Sequence, residues 1–207
     1  MNRQCTKAPS GRHPRERGEP KPQRCRFALW MPTITVGAAI VVPVWAASVL
    51  GGWQVVVGCA LGWALVAAAA IDARHLILPD WLTLPLIPAG LSVAWFEGAP
   101  MAARGIGATA GFLGFASISL AYRRLRGRDG LGLGDAKLLA GAGAWVAWQG
   151  LPSVVLVAAL AALASIFGLR AAGCGPPAEA PFPFGPFLAL GLWMVWLYGP
   201  LAIGSAG

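Results

Sequence analysis

From Thr33 onward the chain is a series of apolar runs separated by short polar or Gly/Pro steps. The runs are Thr33 to Leu50, Trp53 to Ile71, Asp80 to Phe96, Met101 to Tyr122, Ala136 to Trp148, Ser153 to Leu169 and Phe184 to Ile203. A bilayer crossing takes roughly 20 apolar residues as a helix, and most of these runs carry no charge. The pattern predicts an all-α fold: a polytopic integral membrane helical bundle with six to seven transmembrane helices. The fifth run is short and reads as tilted or partly re-entrant. Gly51-Gly52, Glu97 to Pro100 and Gln149 to Pro152 read as tight turns, and Asp72 to Pro79 as a short loop. Arg123 to Asp135 reads as a basic, glycine-rich loop, and Arg170 to Pro183 as a Gly/Pro/Ala-rich one.

Composition agrees with lipid as the main solvent. Hydrophobic residues make up 57% of the 207 and charged residues only 12%, about half the charged share of a soluble domain. Residues 1–30 differ: they are polar, with four prolines and many arginines, and cannot bury enough surface to fold. They are expected to form a basic, disordered cytoplasmic tail ahead of a membrane-embedded domain at 31–207. The tail's basic region is too long for a cleaved signal peptide and no small-residue cleavage site follows it.

Charge also orients the chain. With the tail in the cytoplasm, the cytoplasmic loops carry Arg74, Arg123, Arg124, Arg126, Arg128 and Arg170. The outer turns carry no Lys or Arg, and one carries Glu97. This is the positive-inside bias. It accounts for the net charge of +8 without nucleic acid, for which the tail has no aromatic interleaving or motif. Cys5, His13 and Cys25 fit no zinc spacing, so no metal and no cofactor is expected. Cys59, inside an apolar run, reads as a small buried hydrophobe.

Two aspartates stand at the ends of apolar runs on the same, cytoplasmic face: Asp72 and Asp135. Each has a plain structural reading. Asp135 follows Gly132-Leu133-Gly134 and suits a helix N-cap, and Asp72 suits a polar helix end. Together they suit chemistry, because ionisable groups at membrane segments are costly. Two carboxylates a few Å apart cannot both ionise and hold one shared proton. One can then act as base on a water while the other donates to a carbonyl. Gly132 and Gly134 would let a substrate backbone approach. Lys137 would support the loop, and Asp80, after Pro79, suits an N-cap. A proton-coupled transporter or a non-catalytic membrane assembly protein could also carry two such aspartates, although a transporter would more often show internal repeats, and none is visible.

The residues around these aspartates resemble the type IV prepilin leader peptidases, membrane aspartic peptidases with a G-x-G-D motif. Asp72 with Ile77 to Pro85 (I-L-P-D-W-L-T-L-P) is similar to their first active-site segment, and Gly132 to Ala140 (G-L-G-D-A-K-L-L-A) to their second. Gly143-Ala144-Trp145, Trp148-Gln149 with Leu151-Pro152, and Pro183 to Ala189 (P-F-G-P-F-L-A) extend the likeness over roughly residues 53–200. The resemblance implies a bacterial inner-membrane endopeptidase. It would remove the basic leader from type IV prepilins or type II secretion pseudopilins at the cytoplasmic face, with Asp72 and Asp135 as the catalytic pair. Longer members also methylate the new N-terminus and carry two C-x-x-C pairs. This chain has no such pair, so methyl transfer is not expected. The glycine-rich loop also suggests that the two aspartates come together fully only on binding substrate.

Overall fold

The computed structural model describes residues 27–126, 132–171 and 183–201. The last four residues of the expected tail, 27–30, belong to the first helix rather than to a disordered tail. Its residues 1–26, with Cys5, His13 and Cys25, lie outside the described residues. So do Arg128 and most of the Arg170–Pro183 loop. All described elements are helices: α1 (Phe27–Val49), α2 (Trp53–His75), α3 (Asp80–Thr83), α4 (Leu86–Phe96), α5 (Met101–Arg126), α6 (Leu133–Ala171) and α7 (Gly185–Tyr198). Among the described residues, three are long and apolar enough to cross a membrane: Trp53–His75, Met101–Leu125 and Leu133–Ala171. Ile40–Val49 and Gly185–Tyr198 are shorter apolar helices. The chain is therefore an all-α polytopic membrane bundle, with fewer clear spans than the six to seven expected.

α1 starts at Phe27 rather than Thr33 and α5 runs on to Arg126 rather than Tyr122, and three further boundaries differ from those expected. The third apolar run is split at Leu84-Pro85 into α3 and α4, because Pro85 has no N–H to continue the ladder. The loop after Asp72 is shorter than it reads. α2 continues through His75 and ends at Leu76 in a left-handed conformation (φ 55°), whose N–H bonds the Asp72 carbonyl. Finally, no turn forms at Gln149 to Pro152, which lie within α6. The break is at Ala147, with φ 58° and ψ 179°. Pro152 follows just over one turn past that break.

Interhelix contacts fix the directions. Gly58 faces Trp196, Gly62 faces Trp193 and Asp72 meets Gly185, so α2 and α7 are antiparallel. Asp80 meets Lys137, and Gly90 lies on Trp145, so α3 and α4 run parallel to the first half of α6. Gly150 faces Val195 and Gly191 faces Val154, so the second half of α6 runs against α7. The first half runs with α7, since Trp145 packs edge-on to Trp196 at 5.7 Å, while Leu78 contacts both Gly134 and Gly185. α6 therefore reverses direction at Ala147. A straight helix of its 39 residues would be about 58 Å long, nearly twice the hydrocarbon thickness. The bundle has two ends. One carries the C-terminus of α2 and the N-termini of α3, α6 and α7, and is called the site end below. The other carries the α1–α2 and α4–α5 turns and Ala147.

α5 and the first half of α6 approach backbone to backbone. A Cβ on Gly111 would lie 2.5 Å from the Leu139 carbonyl oxygen, and Gly143 is pressed against the Gly107 carbonyl. Gly107 and Gly111 are four apart, the small-residue spacing of close membrane-helix crossings. Gly143→Val is therefore expected to lower stability by about 3 kcal/mol, the upper part of the usual overpacking range, because backbone cannot move aside as a side chain can. Gly114→Ala, where an added Cβ meets nothing within 4 Å, should be neutral or stabilising. Thermal unfolding of the two variants in the same detergent checks the contrast. Equal melting temperatures would contradict it.

Candidate active site

The last turn of α2 and the first turn of α6 bring the two aspartates into the interior of the site end. Asp72 is 5% exposed and Asp135 8%, in a chain whose other described charged residues are all more open. α6 begins at Leu133, so Asp135 lies inside its first turn rather than capping it, and its N–H bonds the Gly132 carbonyl at 3.1 Å. Leu78 links the surroundings of the two aspartates: it contacts Gly134, next to Asp135, and Gly185, whose N–H bonds Asp72.

Their surroundings differ. The Gly185 N–H donates to Asp72 Oδ2 at 3.0 Å. This N–H belongs to the first residue of α7, so Asp72 satisfies one of the donors that a helix start leaves open and sits at the positive end of that helix. Asp135 Oδ1, by contrast, is buried with no hydrogen-bond partner. A buried carboxyl oxygen without a partner is costly and marks a position open to a water or a substrate group.

Three small contacts hold the pair in register. Leu78, from the segment after α2, is buried between Gly134 and Gly185. A Cβ on Gly134 would come within 2.9 Å of Leu78 Cβ, and one on Gly185 within 2.7 Å of Asp72 Oδ2. Gly134 thus makes room for Leu78, whereas Gly132 is exposed, and a Cβ there would make only ordinary contact, 3.9 Å from Asp135 Oδ2. Phe184, just before α7, stacks on Phe115 of α5 with ring centroids 6.4 Å apart, which fixes where α7 starts. Asp80 does not cap α3. It is the first residue of that helix, and its carboxylate receives the Lys137 ammonium at 2.6 Å. This ion pair ties α3 to α6 two residues beyond Asp135.

Of the residues singled out in the sequence, Asp72, Asp135 and Gly134 meet in one cluster. Asp80 and Lys137 pair at its edge, and Gly132 lies at its exposed rim. Gly185 and Leu78 were not singled out individually. The only sequence signal for Gly185 is its place in P-F-G-P-F, where Pro186 at a helix start leaves the preceding N–H free to reach elsewhere. Among the described residues no group of three or more His, Cys, Asp or Glu is placed to hold a metal ion.

The fold and this cluster define the chain's class: a polytopic membrane protein with two buried aspartates at the same end of the bundle. It matches the type IV leader peptidase family over residues 59–168. The chain belongs to that family. It is 39% identical over 170 residues to the prepilin leader peptidase/N-methyltransferase of Aeromonas salmonicida, covering 81% of this chain and 58% of the relative. It is 51% identical over 130 residues to the protein of that name from Burkholderia pseudomallei strain K96243, covering 62% of this chain and 41% of the relative. The Aeromonas hydrophila protein is 40% identical over 149 residues, 72% of this chain and 51% of the relative. The chain thus spans about half the length of the curated relatives it matches. No solved structure matches it.

Proposed function

We propose that the chain is a membrane aspartic endopeptidase that cleaves the basic leader from prepilins or pseudopilins, with Asp72 and Asp135 as its acid–base pair. The observation that carries this reading is the burial of both carboxyl groups at the same end of the bundle, together with the family match over the segment holding both. One carboxylate takes a proton from water while the other, protonated, donates to the scissile carbonyl. The roles then exchange to protonate the leaving amine. Asp135 Oδ1, with no partner, is the position open to the attacking water. Asp72 is held at α7 through Gly185. Cleavage is the activity proposed, and methyl transfer is no part of it.

The site end faces the cytoplasm in this reading. Arg74, Arg123, Arg124 and Arg170 all lie at that end of their helices, as the positive-inside bias requires. The two halves of α6, reversed at Ala147, count as separate passes. With α1, α2, α3–α4, α5 and α7 this gives seven, with residues 31–207 as the membrane domain and lipid around it. Trp53, Trp95, Phe96, Trp148 and Tyr198, all exposed, lie toward the opposite end, where an aromatic belt meets the other interface.

The test is co-expression with a type IV prepilin in cells lacking their own leader peptidase. The expected result is a mature pilin shortened by its leader. Full-length precursor at equal expression would sink the reading. The Asp80–Lys137 pair adds a sharper expectation. Both groups are partly exposed, so the pair contributes under about 1 kcal/mol of stability, yet it sets the first turn of α6 against α3. Lys137→Met should slow cleavage about tenfold through misplacement of Asp135. The exchange Asp80→Lys with Lys137→Asp should recover most of the rate. If the exchange is as slow as the single variant, Lys137 acts in some other way.

A further inference from the structure

A groove of about 300 Å³ runs along the bundle between α1, α2 and α7. Each helix lines it with one stripe at positions i, i+3, i+4 and i+7, from Ala38 to Trp45, Gly62 to Ala69 and Pro186 to Trp193. Three parallel stripes at this spacing form a trough two turns long that receives the apolar face of another helix. α2 is the floor. α1 and α7 are joined at the far end, where Trp45 Nε1 donates to the Tyr198 hydroxyl at 2.8 Å. At the other end the trough finishes at Ala69 and Pro186, one turn before Asp72 and one residue after Gly185. A helix lying in it is therefore delivered, end first, to the two carboxyl groups.

Resting on the peptidase reading, we propose that this groove seats the apolar helix of the bilayer-embedded substrate, the part that follows the scissile bond. The lining is apolar throughout and ends beside Asp72 and Gly185, so it suits an apolar helix whose preceding chain meets the two carboxyl groups. With the apolar helix held in the trough, the chain that precedes it leaves the membrane across Asp72 and Asp135. The bond between a basic leader and an apolar helix is then the one presented for cleavage.

The test uses the full chain in lipid vesicles with a prepilin, and the Asp72→Asn background to hold substrate uncleaved. A photo-crosslinking benzoyl-phenylalanine replaces either Leu190 in the groove or Leu113 on the exposed face of α5. Cross-links from position 190 to the substrate's apolar segment should exceed those from position 113 about tenfold, the ratio given by about 1.4 kcal/mol of preference. Independently, Ala69→Trp, which fills the groove beside Asp72, should raise KM for the same prepilin about tenfold and leave kcat within twofold. Equal cross-linking at both positions, or products only with lipid or with a second copy of this chain, overturns the groove assignment. In that case the unmutated protein still cleaves the prepilin, and the peptidase reading stands. If the unmutated protein cleaves nothing, both fall.

Discussion

Asp72→Asn and Asp135→Asn are each expected to reduce leader cleavage by about a thousandfold, within the range for loss of a general acid or base. Asparagine keeps the shape and a carbonyl oxygen. At position 72 that oxygen can still accept the Gly185 N–H seen at 3.0 Å, so α7 keeps its anchor and the fold survives. What is lost is the ability to accept and return a proton. Both residues are buried at the same end of the bundle, and as the proposed acid–base pair they are expected to act as a unit. The double variant should be no slower than the worse single one, because removing either member already disables the pair. Initial rates with excess enzyme, on variants that melt within a few degrees of the unmutated protein, give the comparison. A variant that keeps a tenth or more of the rate would remove its aspartate from the mechanism.

Gly185→Ala is the second large effect. Its Cβ would lie 2.7 Å from Asp72 Oδ2 and 2.9 Å from Asp72 Cγ, with Leu78 Cδ1 at 3.0 Å on the other side. The carboxyl group must swing away, since the α7 backbone is held by Phe184 on Phe115. A displacement of about 1 Å in a reacting group costs on the order of a hundredfold, so kcat should fall by that much while KM changes little. Gly114→Ala, which adds a Cβ in open space on α5, serves as the comparison and should retain its rate. A Gly185→Ala protein with full kcat would show that Asp72 is not positioned through α7.

The helices and the two aspartates were legible in the sequence because they follow from local signals. Apolar runs gave α1, α2, α4, α5 and α7, and Gly51-Gly52 and Glu97 to Pro100 marked their turns. The shared face of Asp72 and Asp135 followed from where the arginines lie. The reversal inside α6 was not legible. Gln149 to Pro152 has turn chemistry, whereas Ala147, where the backbone turns, has none. Its unusual conformation (φ 58°) is imposed by α5, whose Gly107 packs against Ala147 and Trp148. Asp80 was read as a cap because Pro79 precedes it, but its partner, Lys137, comes from 57 residues later. The Gly185 contact with Asp72 spans 113 residues. Contacts of that range leave no periodic trace, and only the packing of α3 on α6 and of α7 on α2 makes them.

The measurement that bears most directly on the aspartate pair is single-turnover cleavage in heavy-oxygen water, with the purified protein in vesicles and a prepilin as substrate. The expected result is release of the leader with one heavy oxygen in its new C-terminal carboxylate and none in the side chains of Asp72 or Asp135, as direct attack by water requires. Heavy oxygen in either aspartate would mark an acyl intermediate on that residue and contradict the water-activating pair, and so would a leader that is never released.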